Sequence, residues 1–317
     1  MTRTLITGAS GFAGRHLVAH LRATTDWELC ALGRSSQPDL NTVSADLLDR
    51  AAVDQAVAQV QPEIVVHLAA QSFVPTSFED PADTFNTNVI GQLHLLQAIA
   101  AAKIDPLVLV ISSNEVYGMV LPNDIPVNEK TPLRPASPYA VSKAAQDLLA
   151  GQWFYSHKLR VIRVRPFNHI GPGQKAQFAA PAFARQIARI ELGLQPPVVQ
   201  VGNLDAQRDF TDVRDIVSAY HLALVHGEPG AIYNVGSGEP IAVRTILETL
   251  INLSTVPITI EPDPARMRPA DVPTVACDSS YFQTRTGWRR QYSLDQTLRD
   301  VLEDWRSRVQ AEANHSY

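Results

Sequence analysis

The chain has 317 residues, 45% of them hydrophobic and 19% charged, an ordinary globular composition with length enough for a large core and a second lobe. A net charge of −5 and a pI near 6.0, with basic residues scattered along the chain, exclude an electrostatic footprint for nucleic acid. No apolar run approaches the ~18 residues that span a bilayer and no charged leader precedes the first strand, so the expectation is a cytoplasmic protein with no membrane partner.

Thr4 to Thr7 reads as a short apolar strand, followed by a glycine turn and a helical pattern through Phe12, Leu17, Val18 and Leu21. The alternation continues with a strand at Glu28 to Leu32, a helix at Ala51 to Val60 and a strand at Ile64 to Leu68. A long helix ending near Ala102, a strand from Leu107 to Ser112, a helix from Tyr139 and a strand from Val161 to Arg165 follow. Such alternation predicts a parallel sheet, and the continuously apolar runs Ile64-Val65-Val66 and Leu107 to Ile111 predict helices on both of its faces. The expected fold class is therefore α/β, a doubly wound parallel sheet of the Rossmann kind.

After Pro166 the rhythm breaks at Gly171-Pro172-Gly173, Pro181, Pro196 and Pro197, which marks a smaller C-terminal lobe for substrate. Asp212 to His226 as a helix and Ala231 to Val235 as a strand return to the sheet before the small lobe resumes near Val243. The predicted division is 1–166 plus about 212–242 for a dinucleotide-binding domain, and about 167–211 plus 243–317 for the substrate-binding lobe. The polar end, Glu312 to Tyr317, is expected to fray. Cys30 and Cys277, in a strand interior and at a late strand end, make neither a zinc set nor a disulfide framework and read as reduced, packed thiols.

Gly8-Ala9-Ser10-Gly11-Phe12-Ala13-Gly14 spells G-x-x-G-x-x-G between the first strand and the first helix, the setting that separates it from a plain glycine turn. Gly8 permits the tight turn, Gly11 lets backbone approach a pyrophosphate, and Gly14 lets helix and strand pack closely. A NAD-selective site places an acid at the end of the second strand, whereas Leu32-Gly33-Arg34-Ser35-Ser36 offers a guanidinium and two hydroxyls, donors suited to a 2′-phosphate. The expected cofactor is NADP(H), with NAD(H) as second choice; the alternative for Arg34 is a solvated surface arginine. Asp46 and Leu47, just after the third strand, are placed to meet the adenine. The turn residues Ser10, Phe12 and Ala13 join the expected cofactor contacts, as do Leu68, Ala69, Ala70, Thr87, Ile111 and Pro166.

Tyr139-Ala140-Val141-Ser142-Lys143 puts a tyrosine and a lysine on one face of a helix start. A phenol with a free pKa of ~10 is a poor acid-base group at neutral pH, and a nearby ammonium together with the cofactor charge favours the phenolate. Lys143 is therefore expected to tune Tyr139 and to hydrogen-bond the nicotinamide ribose, while Tyr139 donates a proton to a carbonyl as hydride arrives, or removes one in reverse. Ser112 to Gly118 follows the fifth strand, at the carboxyl edge where doubly wound folds bind ligands. Ser113 is the expected partner of the substrate oxygen, Ser112 a turn cap, and Glu115 reads equally as a substrate-hydroxyl partner, a general base or a structural carboxylate. No His, Cys and Asp cluster has metal-ligand spacing, so no metal is expected.

The glycine turn, His67-Leu68-Ala69-Ala70-Gln71, the Ser113 turn and the Tyr139/Lys143 pair resemble the extended short-chain dehydrogenases, the nucleotide-sugar epimerases, dehydratases and reductases, over essentially the whole chain. Arg165 to Gln174 resembles the GDP-4-keto-6-deoxy-D-mannose reductases, which make GDP-D-rhamnose; Val201 to Asp205, Arg208 to Val213 and Arg268 to Asp271 are similar to the GDP-sugar branch. The resemblance implies NAD(P)H-dependent reduction of the 4-keto group of a nucleotide-linked 6-deoxy sugar. It implies that Asn168, Arg208 and Arg268 meet the substrate diphosphate, and that Gln71, Ser72, Ser77, Ser113, Asn114 and Glu115 approach the sugar. Asp209 and Asp212 read instead as structural residues that order the loop and cap the following helix, Asp being a favoured N-cap, and the resemblance implies a homodimer through helices of the sheet layer. The rivals are a GDP-mannose 4,6-dehydratase, kept open by Glu115 although Asn114 cannot exchange a proton, and a 4-epimerase with tightly held NAD, against which Arg34 speaks. A non-catalytic nucleotide-binding scaffold should lack the tyrosine or the lysine.

Overall fold

The computed structural model describes residues 1–35, 40–266 and 272–314. The first half runs β1 (Arg3–Thr7), α1 (Phe12–Thr24), β2 (Glu28–Gly33), β3 (Asn41–Ser44), α2 (Arg50–Val60), β4 (Ile64–His67), α3 (Val74–Glu79), α4 (Pro81–Phe85), α5 (Gly91–Ala101), β5 (Leu107–Ile111) and α6 (Pro138–His157). The second runs β6 (Val161–Pro166), β7 (Asn168–Ile170), α7 (Ala179–Glu191), β8 (Val198–Val201), β9 (Gln207–Asp212), α8 (Val213–His226), β10 (Ile232–Val235), β11 (Pro240–Ala242), α9 (Val243–Asn252), β12 (Thr259–Pro262), α10 (Ser280–Thr286) and α11 (Leu294–Asn314).

Seven parallel strands form one sheet in the order β3-β2-β1-β4-β5-β6-β10. Successive strand side chains point to opposite faces, so Val108 and Val110 of β5 pack with α2, α5 and α6, while Leu109 and Ile111 pack with α1, α8 and α10. Both faces are dry, which is why these strands are apolar at every position rather than at every second one. The doubly wound parallel α/β fold expected from the alternation is the fold observed.

A smaller lobe packs α7, α9 and α11 around a separate apolar core with Val199, Val201 and Phe210. Two small sheets complete it, β11-β9-β7 and β12-β8. Asp212 closes β9 and caps α8 by accepting the Arg214 amide at 2.7 Å, so one residue ends a lobe strand and starts a sheet-layer helix.

Three local features refine or depart from the sequence reading. The long helix expected to end near Ala102 is observed as a continuous run from Pro81 to Ala101, capped by Asp80, which accepts the Asp83 amide at 2.9 Å, and carrying one unexpected π-helical turn, Asn86–Ile90, between α4 and α5. Residues 243–317 do not all belong with the small lobe, because Phe282 of α10 and Trp288 join the core beneath the large sheet and the Trp288 indole donates to the Asp215 carbonyl at 3.0 Å. Cys277 forms an isolated bridge with Val127 rather than ending a strand; it and Cys30 are buried free thiols.

Candidate active site

The glycine turn between β1 and α1 is shaped by contact. Gly8 has φ of 72°, and a Cβ there would lie 2.7 Å from the Ala69 amide nitrogen; a Cβ on Gly14 would lie 2.7 Å from Ala9 Cα. Gly11 is the N-cap of α1 and has no side chain to cap it, and no acid stands in the first turn, so the leading amides are left for an anion. A dinucleotide pyrophosphate fits this cradle. Ser10 is exposed and Ala13 half-buried, while the Phe12 ring turns away to stack on His169 of the small lobe at 5.9 Å between centroids. Leu68, Ala69 and Ala70 border the turn, with the Ala69 amide donating to Thr7 Oγ1 at 3.2 Å.

Arg34 is exposed just past β2, and Ser36 lies outside the described residues. Asp46 is exposed and accepts the Leu48 amide at 2.9 Å, and the Leu47 carbonyl meets His94 Nδ1 at 2.8 Å. Thr87 is half-buried in the π-helical turn, and Pro166 is buried at the end of β6.

At the carboxyl edge of the sheet, Ser113 caps the short turn after β5 by accepting the Glu115 amide at 3.1 Å. Ser137 caps α6 by accepting the Ala140 amide at 3.0 Å, with Pro138 at the first helical position, which sets Tyr139 at the sheet edge. The Ser113 hydroxyl hydrogen-bonds the Tyr139 phenol. Burial raises the Tyr139 pKa, the Ser113 bond opposes this, and the Glu115 charge adds to it, so the phenol is protonated at neutral pH.

The Lys143 ammonium donates to the Ile111 carbonyl at 2.7 Å and to Gln146 Oε1 at 2.9 Å. Burial lowers its pKa to about 7, with Asp147 pulling the other way.

On the substrate side, Asn168 starts β7 with its Oδ1 buried and without a hydrogen-bond partner among the described residues. Asn114 is buried beside Ser113, and Ser72 is exposed. Arg208 Nη1 donates to the Gln207 and Val272 carbonyls, both at 2.7 Å, and Arg268 lies outside the described residues. Gln71 does not reach outward: its side chain accepts the Phe73 amide at 2.5 Å and donates to Thr84 Oγ1 at 3.1 Å, folding its own loop. Ser77 is also turned inward, donating to the Val74 carbonyl at 2.6 Å. Asp209 accepts from the Ser237, Gly238 and Cys277 amides, a loop-ordering role. A cavity of about 440 Å3 in the small lobe is lined by Arg185, Gln186, Arg189, Gln200 and Arg266 among others. Among the described residues no group of His, Cys, Asp or Glu is arranged to hold a metal ion.

A family model described as GDP-mannose 4,6 dehydratase matches residues 5–301. The chain belongs to the GDP-mannose 4,6-dehydratase family. The GDP-6-deoxy-D-mannose reductase of Pseudomonas aeruginosa is 42% identical to it over 311 residues, covering 98% of this chain and 99% of that protein. The structure of RMD from Pseudomonas aeruginosa complexed with NADPH is similar with a TM-score of 0.88 and 41% identity, covering 97% of this chain and all of that one. A UDP-glucose 4-epimerase complexed with NAD, from Thermus thermophilus, has a TM-score of 0.86 at 28% identity, covering 96% of this chain and 99% of that one.

In this member of the dehydratase family, several residues that shape the site escaped the sequence reading. Asn88, in the π-helical turn, exchanges hydrogen bonds with the Gln71 backbone at 2.7 and 3.0 Å and donates to Ser142 Oγ at 2.9 Å, one turn from Tyr139. Gln92 and Gln146 are wholly buried beside Lys143. The available signal was a polar amide on an otherwise apolar helix face, which in a folded chain demands a partner. The arginine-lined cavity had no such signal, because Arg185, Arg189 and Arg266 look like ordinary surface residues until α7 and the β12 end are brought together.

Proposed function

We propose that the chain is an NADPH-dependent reductase of a nucleotide-linked 4-keto-6-deoxy sugar, converting GDP-4-keto-6-deoxy-D-mannose to GDP-D-rhamnose. The observation that carries this reading is Tyr139, a buried phenol hydrogen-bonded to Ser113 at the carboxyl edge of the sheet. Reduction of a ketone needs hydride at carbon and a proton at oxygen, and the bound dinucleotide supplies the hydride. The Ser113 and Tyr139 hydroxyls hold the carbonyl oxygen, and Tyr139 gives it the proton. Gly8, Gly11 and the leading amides of α1 would hold the pyrophosphate, Arg34 the 2′-phosphate, Asp46 and Leu47 the adenine, and Lys143 the nicotinamide ribose. NADP(H) is the preferred cofactor and NAD(H) the weaker one. The guanidinium groups of the small-lobe cavity suit a nucleoside diphosphate, since arginine forks match phosphate oxygens in pairs.

One observation favours dehydration of GDP-mannose instead: the Glu115 carboxylate stands close enough to Tyr139 for its charge to act on the phenol, where a base is needed. A single assay separates the two. Purified protein offered GDP-4-keto-6-deoxy-D-mannose should deplete NADPH absorbance and yield a GDP-6-deoxyhexose. Conversion of GDP-mannose to the keto sugar, with that sugar ignored in the presence of NADPH, would reject the reductase reading.

We further read the chain as a homodimer. Helix α6 exposes Val141, Leu148 and Tyr155, at 40, 61 and 68%, two helical turns apart on one face. Sedimentation velocity tests this, and a monomer at micromolar concentration would rule it out. Among the described residues no helix is long and apolar enough to cross a membrane. The cytoplasm, where both thiols stay reduced, is the compartment we assign.

A further inference from the structure

Beneath Lys143 lies a chain of buried polar groups that the mechanism does not yet use. Gln146, whose Oε1 takes an ammonium hydrogen at 2.9 Å, places its Nε2 2.9 Å from Gln92 Oε1 and 3.4 Å from His67 Nε2. Gln92 Nε2 returns a bond to the Gln146 carbonyl at 2.9 Å. His67 Nδ1 and Thr7 Oγ1 are 2.8 Å apart, and the same Thr7 oxygen accepts the Ala69 amide. Thr7, His67, Gln92 and Gln146 are all at most 1% exposed.

With Lys143 charged, the donor inventory of these groups permits one arrangement. An ammonium only donates, so Gln146 turns its oxygen to Lys143 and its NH2 to Gln92 and His67. His67 Nε2 is then the bare nitrogen, and Nδ1 carries the hydrogen that goes to Thr7. Protonating His67 would set two donors against each other at Nε2; flipping the Gln146 amide to relieve this would set its NH2 against the ammonium. Burial, with the Lys143 charge adding to it, lowers the His67 pKa to about 3, which keeps the ring in the neutral form the chain requires.

We infer that Gln146 is a positioning residue for Lys143, fixing the ammonium beside the Ile111 carbonyl and tying it, through His67 and Thr7, to the Ala69 backbone against which the Gly8 turn packs. This rests on the reductase reading above. The charged and titratable groups about Lys143 are Asp147 and Tyr139 on its own helix and His67 on β4. Asp147 is committed to Arg163 and Arg165, so the side chain that Lys143 touches is a neutral amide. A neutral acceptor orients the ammonium yet leaves its proton loosely held, whereas a carboxylate in its place would clamp the charge.

The test uses the full chain with Gln146→Glu and Gln146→Leu. At saturating NADPH, the alkaline limb of kcat against pH should move up by about one unit in Gln146→Glu and down in Gln146→Leu, where kcat near neutrality falls about tenfold. KM for the nucleotide sugar should change less than about threefold in both, because neither variant touches the sugar. A fall in activity with unmoved limbs in both variants would mark a merely structural role and overturn the inference. Long-range proton–nitrogen NMR spectra of the cofactor-free wild-type protein should show His67 with its hydrogen on Nδ1. A hydrogen on Nε2 would break the chain and overturn the inference whether or not the variants fold. Wild-type protein inert toward the keto sugar would reject the reductase reading instead, and the spectra would still decide the arrangement.

Discussion

Replacing Asp147 with asparagine probes the anchor of the catalytic helix. The Asp147 side chain is wholly buried and accepts Arg165 Nε at 2.8 Å, Arg165 Nη2 at 3.0 Å and Arg163 Nη1 at 3.3 Å. The two guanidinium groups are only 4 and 9% exposed, so neither can turn to water once the carboxylate is neutral. Removing one partner of a buried ion pair costs ~3–5 kcal/mol, because the cost is that of the stranded charge. Arg165 keeps its 2.9 Å bond to the Tyr117 hydroxyl, and the asparagine oxygen keeps part of the fork. The lower end, about 3 kcal/mol, is therefore the expected loss. Urea unfolding followed by far-UV circular dichroism, with wild-type and variant slopes compared, measures it. Simultaneous Asp147→Leu, Arg163→Met and Arg165→Met should recover most of the loss. A single-variant loss under about 1 kcal/mol would refute the stranded-charge argument.

Tyr139→Phe should lower turnover by about two to four orders of magnitude while leaving NADPH and nucleotide-sugar binding nearly intact, read by steady-state kinetics and fluorescence titration. Near-wild-type turnover would remove Tyr139 as the proton donor. Arg34→Asp should weaken NADPH far more than NADH, since attraction to a 2′-phosphate becomes repulsion; equal weakening of both would make Arg34 a surface residue. His67 titrates at 6.5 when unfolded and at about 3 when folded, so below pH 6.5 the unfolded chain binds the extra proton and stability falls with pH. Between pH 7 and about pH 5 this single group removes about 2 kcal/mol, and His67→Asn should lose that part of the pH dependence in urea titrations. An unchanged slope in the variant would contradict the folded-state value.

The features that were legible in the sequence are those encoded within one or two turns of chain. Gly8 to Gly14 between a strand and a helix, the apolar runs of β4 and β5, and the Tyr139 to Lys143 spacing each depend on neighbours a few residues away, so local periodicity carries them. The helix that ends at Ala101 was legible in the same way, though not the π-helical turn inside it.

What only the tertiary structure decided is which buried polar group answers which. The sequence by itself determined the doubly wound sheet and put Ser113, Tyr139 and Lys143 at its carboxyl edge. It could not say that Lys143 faces Gln146 and Ile111 in place of Tyr139, or that Gln71 folds inward. The partners that set these orientations, His67 with Thr7, Gln146 with Gln92, and Asp147 with Arg165, are 60, 54 and 18 residues apart. No periodicity links such pairs, and each becomes obligatory only when packing removes water from both groups and leaves them to satisfy one another.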